Sequence, residues 1–378
     1  MKPETGARLW FSGWRALGLF WLAIAAVGLV GAVTLQIMGP PPAPARQEAQ
    51  MAPSPAAATR ANPASRTAPA APHTSVAANK AAPHPAAPGR TGTGPVAAPD
   101  PALLEEVGDN PQDMLPRIAA DGRSPMAVYA AGFDRTDHRP RVGLLIAGIG
   151  MNHADTLAAI QQLPGAVTLA ISPYAGPVTD ILAAARLARH EYLLSLPMLP
   201  AGFPANDPDS RHAVMTSLSP ADNLVRLHWV MSRIVGYVGL TSVMDGMQGE
   251  QMLNAPDQFE PILRDVADRG LLFVAGMSPS APLPHVWSRA ADAIIDAAPA
   301  DAATIDQRLD QLTAAAREKG SALGIVTLPR PVALDRVAAW AGSLAQKGVV
   351  LAPVSALVGP PPGRDTQATQ AKQDARND

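Results

Sequence analysis

Between residues 141 and 358 the chain alternates short, uninterrupted apolar runs with amphipathic stretches, and this alternation restricts the fold more than any other feature. The runs cover residues 142–147, 166–171, 192–196, 237–243, 271–275, 293–295, 322–327 and 349–353. Most are continuous rather than alternating, the pattern of strands covered on both faces of a parallel sheet. The intervening segments carry helix signals. Ser219-Pro220-Ala221-Asp222 supplies an N-cap hydroxyl, a proline at the first helical position and an acid in the first turn. Leu224, Leu227, Met231 and Ile234 then fall on one face. Residues 301–319 form a second helix, with Ile305, Leu309 and Leu312 at core spacing and Gly320 at its end. Residues 332–347 form a third, closed by Gly348. About seven or eight β/α units in roughly 220 residues predict an α/β domain shaped as a barrel, with an open doubly wound sheet as the alternative.

The first strand runs into a glycine turn, Gly148-Ile149-Gly150. In a dinucleotide fingerprint the third glycine would fall at position 153, which is His153, so the turn is weak evidence for a nucleotide. There is no Gly-x-Ser-x-Gly nucleophile elbow. With no cysteine, disulfides, thiolate metal sites and a cysteine nucleophile are excluded. A net charge of −2 gives no drive toward nucleic acid, and none is expected as a partner.

The N-terminal part has a different character. Residues 16–38 contain no charged side chain and number about 23, long enough to cross a hydrocarbon core. Lys2, Arg8 and Arg15 precede them, which favours a cytoplasmic N-terminus of residues 1–15 and a single-pass anchor. A cleaved signal peptide is the alternative. Residues 39–138 are rich in proline and alanine and read as a disordered tether. Within them, residues 103–107 and 114–118 are expected to add a short helix to the edge of the domain. Residues 139–358 form the folded domain, and the polar residues 359–378 read as a disordered tail.

Several segments in order resemble the divergent polysaccharide deacetylase family. They are the strand ending in Ile149-Gly150, the stretch Leu163-Pro164-Gly165-Ala166-Val167-Thr168-Leu169-Ala170-Ile171-Ser172-Pro173-Tyr174-Ala175, and Leu196-Pro197-Met198 with Pro200. Val238-Gly239-Leu240 with Met244, Arg269-Gly270-Leu271-Leu272-Phe273 and Leu351-Ala352-Pro353-Val354-Ser355-Ala356-Leu357 complete the set. The resemblance implies a distorted (β/α) barrel of the glycoside hydrolase/deacetylase type. It also implies a bacterial inner-membrane protein with its domain in the periplasm. The implied activity is hydrolysis of an N-acetyl group by a divalent metal such as zinc, held by an aspartate and histidines, with a second aspartate as base.

This chain departs from that chemistry. The family's aspartate pair falls on Ala147-Gly148, its first histidine on Ser195 and the following acid on Leu199. Its Asn-Asn-His run falls on Thr241-Ser242-Val243. Its later acid and arginine are replaced within Ala275-Gly276-Met277, and its Gly-His pair within Val326-Thr327-Leu328. Alanine, glycine and valine cannot bind a metal or carry a proton. The departures predict a barrel with its metal and base lost and no cofactor, a pseudoenzyme expected to bind a cell-envelope glycan or an envelope protein. Two alternatives stand beside this: an active deacetylase with a rearranged, zinc-dependent site, and a non-catalytic envelope scaffold. The candidate catalytic acids are Asp245, Asp292 and Asp296, against a reading of Asp245 and Asp296 as turn and cap residues. Ser195, Thr241, Ser242, Ser278 and Ser280 are candidate ligand-binding hydroxyls, against a reading in which they bond nearby backbone. Asp207, Asp209 and His212 cluster in a loop that reads as a metal ligand set or as a solvated turn. His153 is placed at a helix start, and His190 near a helix end, where a cation is favourable.

Overall fold

A computed structural model of the chain describes residues 20–22, 91–107 and 113–362. The expected membrane span lies outside the described residues except for Phe20, Trp21 and Leu22, as does the tether up to residue 90. Among the described residues, no helix is long and apolar enough to cross a membrane.

In chain order the elements are β1 (Leu104–Glu106), β2 (Met114–Pro116), α1 (Pro125–Val128), β3 (Arg141–Ile149), α2 (His153–Gln162), β4 (Thr168–Ile171) and α3 (Thr179–Leu187). Then come β5 (Tyr192–Ser195), α4 (Pro220–Met231), β6 (Gly239–Thr241), α5 (Glu250–Leu253), α6 (Pro256–Asp268), β7 (Leu272–Ala275), β8 (Ser288–Ala290) and β9 (Ala293–Ile294). Last are α7 (Ala302–Lys319), β10 (Ser321–Val326), α8 (Pro331–Ser343) and β11 (Val350–Leu351). The helix signals act as expected. Ser219 caps α4 by accepting the Asp222 amide, Asp301 caps α7 by accepting the Thr304 amide, and Gly320 ends α7 with φ 82°.

Nine strands form one sheet in the order β8-β7-β6-β5-β4-β3-β10-β9, with β11 added on β3. Every pairing in it is parallel. The two ends of this order, β8 and β9, are separated in sequence only by Ala291 and Asp292. Three peptide units reach about 11 Å at most, so the sheet must curl until its edges meet. The seam is sewn by adjacent amides: Ala291 N–H donates to the Ala275 carbonyl on β7, and Asp292 N–H to the Leu323 carbonyl on β10. An open doubly wound sheet does not do this.

Side chains alternate across the strands. Leu145, Ala147, Ala170, Leu193, Val274, Leu323 and Ile325 pack together inside. Leu144, Ile146, Leu169, Ile171, Leu194 and Phe273 face outward onto Leu227, Ile262, Leu309 and Val337 of the surrounding helices. Each large side chain buried this way contributes about 1.5–3 kcal/mol relative to exposure.

The tether is shorter than its composition suggests. Val96, Leu103, Met126, Tyr129, Ala130 and Phe133 belong to the inner cluster and close the N-terminal end of the barrel. The expected short helix over 103–107 and 114–118 is instead an antiparallel strand pair, with Leu104 opposite Pro116 and Glu106 opposite Met114. Leu103 and Leu115 are buried beside exposed or half-buried glutamates, a local alternation that favours strand over helix. At the other end, Gly359 exchanges two backbone hydrogen bonds with Ser288, so order continues past the expected start of the tail.

Candidate ligand-binding site

In parallel barrels, functional side chains gather at the C-terminal ends of the strands. At the end of β3 the register against β4 shifts between Ile146 and Ile149, a bulge that holds Ala147 and Gly148. Gly148 and Gly150 have φ of 73° and 93°. A Cβ on Gly150 would lie 2.5 Å from the Ala175 Cβ, and one on Gly148 would lie 3.2 Å from Leu328 and Pro329. The Gly150 amide donates to the Thr156 hydroxyl at 2.9 Å. The turn is therefore filled by neighbouring loops and leaves no cradle for a phosphate.

The hydroxyls differ in their engagement. Thr241 Oγ1 donates to the Val274 carbonyl at 2.9 Å, and Ser242 Oγ accepts the Gly276 amide at 2.9 Å. Both serve the backbone of neighbouring strand ends. Ser278 and Ser280 are exposed, and the Ser280 amide donates to Asn254 Oδ1. Ser195 is different: it is 1% exposed and its Oγ has no hydrogen-bond partner.

The three candidate acids do not meet in one place. Asp296 accepts the Thr327 amide at 2.7 Å, the Thr327 hydroxyl at 2.9 Å and the Leu328 amide at 3.1 Å. Both its oxygens cap the end of β10. Asp292 accepts the Leu323 amide and pairs with Arg289 at 2.6 Å and Lys319 at 3.4 Å. Since Lys319 ends α7 just before β10 begins, Asp292 works along the seam, away from the mouth. Asp245 alone is open. It follows β6 in a left-handed turn with φ 48°, and its carboxylate makes no hydrogen bond or ion pair with the described residues. The residue is exposed, yet atoms packed around the carboxyl raise its pKa by desolvation.

Asp245 instead comes close to a cluster that the sequence hinted at only through Asp209 and His212. Nδ1 of His212 donates to Asp209 Oδ2 at 2.7 Å, and its Nε2 makes no hydrogen bond with the described residues. Its ring stacks on Trp229 with centroids 3.6 Å apart and planes 17° apart. Tyr174 leans on the same pair, 5.8 Å from Trp229 and 6.4 Å from His212. The Tyr174 hydroxyl is buried and lies against the Asp209 carboxylate. Burial, then the nearby carboxylates of Asp209, Asp245 and Asp207, push its pKa well above the ordinary phenol value. Burial opposes the Asp209 carboxylate, but His212 and the Arg211 amide hold its pKa below the usual value. The sequence did not single out Trp229 or Tyr174 as site residues, because nothing in the spacing joins the turn after β4 to α4.

His190 also departs from expectation. It is fully buried, with Nδ1 2.7 Å from the Val167 carbonyl and Nε2 3.2 Å from that of Ile160. Burial lowers its pKa, so it is a neutral core histidine rather than a helix-end cation. His153 does begin α2.

The positions that the family resemblance assigns to the metal do not fit one. Ala147, Gly148, Val243 and Gly276 offer no donor atom, and Ser195 and Thr327 offer only neutral hydroxyls. Among the described residues no three His, Asp or Glu side chains converge as a ligand set, which includes Asp207, Asp209 and His212.

No curated protein is similar to the chain in sequence. The family model for divergent polysaccharide deacetylases matches residues 144–358. Among solved structures, an uncharacterized protein from Agrobacterium tumefaciens C58 is 28% identical, with a TM-score of 0.59 over 65% of this chain and 99% of its own. A family 4 carbohydrate esterase from Streptomyces lividans in complex with acetate is 18% identical, with a TM-score of 0.37 over 60% of this chain and 98% of its own, too loose a match to argue from. With its parallel barrel and a family match running from β3 to the residue after Leu357, the chain belongs to the divergent polysaccharide deacetylase family.

Proposed function

We infer that this chain is a glycan-binding member of its family that does not carry out the family's metal-dependent deacetylation. One observation carries the reading. The strand ends that would hold the metal and base present Ala147, Gly148, Ser195 and Val243, while Asp292 and Asp296 are consumed by the seam and the β10 cap. What lies beyond the strand ends is the aromatic group of Tyr174, His212 and Trp229 with the Asp209 carboxylate bonded to His212, suited to a sugar ring and its polar rim. The apolar residues 16–38 would anchor the domain to the inner membrane, facing an envelope glycan in the periplasm. The test is acetate release from N-acetylglucosamine oligomers with zinc supplied, run beside a binding measurement on the same oligomers. Binding without acetate release supports the reading; turnover that disappears on chelation overturns it.

A second reading, a working hydrolase with a rearranged site, draws on the Asp209–His212 pair. In that pair Nδ1 is held by the carboxylate and Nε2 makes no hydrogen bond with the described residues, the arrangement of a general base. It requires acetate release that survives chelation and is lost in His212→Gln.

A further inference from the structure

At the N-terminal end of the barrel, opposite the mouth, a cleft of about 420 Å3 opens where β3 and β10 begin. Its walls follow from the local chain. Arg139 and Arg141 stand either side of Pro140 at the entry to β3, and Gly320, left-handed at φ 82°, delivers Ser321 to the start of β10. The Arg141 amide donates to the Gly320 carbonyl at 3.0 Å, which joins the two walls. The segment after β11 supplies Leu357 and Val358 as an aliphatic edge.

The charges that line the cleft do not balance. Asp137 is the one carboxylate among the lining residues, against the guanidiniums of Arg139 and Arg141, with His138 exposed at the rim. Arg139 occupies that carboxylate. Its Nη2 donates to Oδ2 at 2.6 Å, its Nε reaches both oxygens at 3.1 Å, and its amide donates to Oδ1 at 3.0 Å. These bonds hold the Asp137 carboxyl at about 2, so the pair stays ionised and closed across the neutral range. The Asp137 charge reaches Arg141 only through space, a weaker effect than the Arg139 bonds. Arg141 is half-buried and makes no ion pair among the described residues. Its Nη1 donates to the Ala356 carbonyl at 3.5 Å, and its guanidinium carbon lies 5.1 Å from the centre of the Phe133 ring. Packing on that ring fixes the guanidinium plane and leaves most of its N–H donors unused. Such a plane aims paired donors at a carboxylate or a phosphate. A cleft of this size takes a small organic molecule rather than a bare ion.

We propose that this cleft binds a small organic oxyanion, a carboxylate or a phosphate ester, with its head group on Arg141 and its carbon skeleton along Leu357 and Val358. The site lies at the other end of the barrel from the aromatic group of Tyr174, His212 and Trp229, and it stands independently of the glycan-binding reading. Asp137 and the ligand compete for the same cations. Arg139 keeps Asp137 off Arg141 and so leaves Arg141 available.

Ligand-observed NMR on the full chain, at fixed ionic strength in a chloride buffer, tests this with benzoate, phenyl phosphate and benzyl alcohol. At least one of the two anions is expected to bind at least about tenfold more tightly than the alcohol. Binding of either anion alone supports the site and fixes its head group. Arg141→Met keeps an aliphatic stem beside Phe133 and should remove the preference for the anion. Asp137→Asn keeps the oxygen that accepts the Arg139 amide, frees the Arg139 guanidinium and should tighten the anion several-fold. A general loss of stability does not produce opposite effects from two neighbouring substitutions, and Asp137→Asn decides the matter should Arg141→Met fail to fold. No binding of either anion at millimolar concentration, or equal binding of the alcohol, overturns the proposal. Anion binding that Asp137→Asn leaves unchanged or weakens overturns it as well.

Discussion

The two ends of this barrel treat a carboxylate in opposite ways. At the N-terminal end Glu191, fully buried, accepts the Ala131 amide at 2.8 Å, the Ser355 amide at 2.9 Å, the Ser355 hydroxyl at 2.6 Å and the Thr168 hydroxyl at 3.0 Å. These four donors come from the closing segment, the turn after β11 and the start of β4, so one side chain ties the plug to the barrel. At the C-terminal end Asp245 accepts no hydrogen bond from the described residues and sits in a left-handed turn with φ 48°. A polar group satisfied on every side belongs to stability, whereas one left open costs stability and is kept for something that binds.

The largest effect should come from the satisfied end. Glu191→Ala leaves four buried donors without an acceptor and is expected to cost about 3–5 kcal/mol in urea unfolding. A loss below 1 kcal/mol would mean the plug is held by apolar contacts alone. Asp296→Ala strands two amides and a hydroxyl at the end of β10 and should cost about 1–3 kcal/mol without altering ligand affinity. A selective loss of binding in that variant would return Asp296 to the site.

Acidity separates Glu191 from its neighbour. Burial raises the Glu191 pKa above its ordinary 4.5 in the fold, only partly offset by its hydrogen bonds. The unfolded chain therefore releases this proton first, and the Glu191 contribution falls as pH climbs from 4.5 through the folded value. His190 works in the other direction. Its pKa is lowered from 6.5, so its contribution is present above that value and is lost as pH falls through the folded pKa. The stability advantage of wild type over Glu191→Gln should shrink with rising pH; an advantage that grows would reverse the sign assigned to Glu191. At the open end the effect is smallest. Asp245→Gly relieves the left-handed turn and should change stability by about 1 kcal/mol or less, in the stabilising direction.

The sequence conveyed the barrel better than its ends. Each of the eight apolar runs overlaps a strand of the sheet, because continuous burial on both faces leaves a signal that needs no tertiary information. β8 escaped, since Ser288-Arg289-Ala290 is half-buried and its place depends on the seam. The plug was lost in the proline-rich composition of its surroundings, although Leu103 and Leu115 are core residues. Glu191 gave no signal: a charged residue before an apolar run reads as loop, and only the fold brings Ser355 and Ala131 to it. At the mouth, Asp245 was legible as a turn residue and the replacements at Ala147 and Ser195 as lost chemistry. The meeting of Tyr174, His212 and Trp229 was not, because loop packing between distant segments sets it.

The account stands or falls on whether the mouth still holds a metal. Calorimetric titration of zinc into the purified full chain addresses this directly. The account expects no stoichiometric site, since Ala147, Gly148, Ser195 and Val243 supply no ligand set. A one-to-one zinc site that disappears in Asp245→Asn or Asp296→Asn would contradict it.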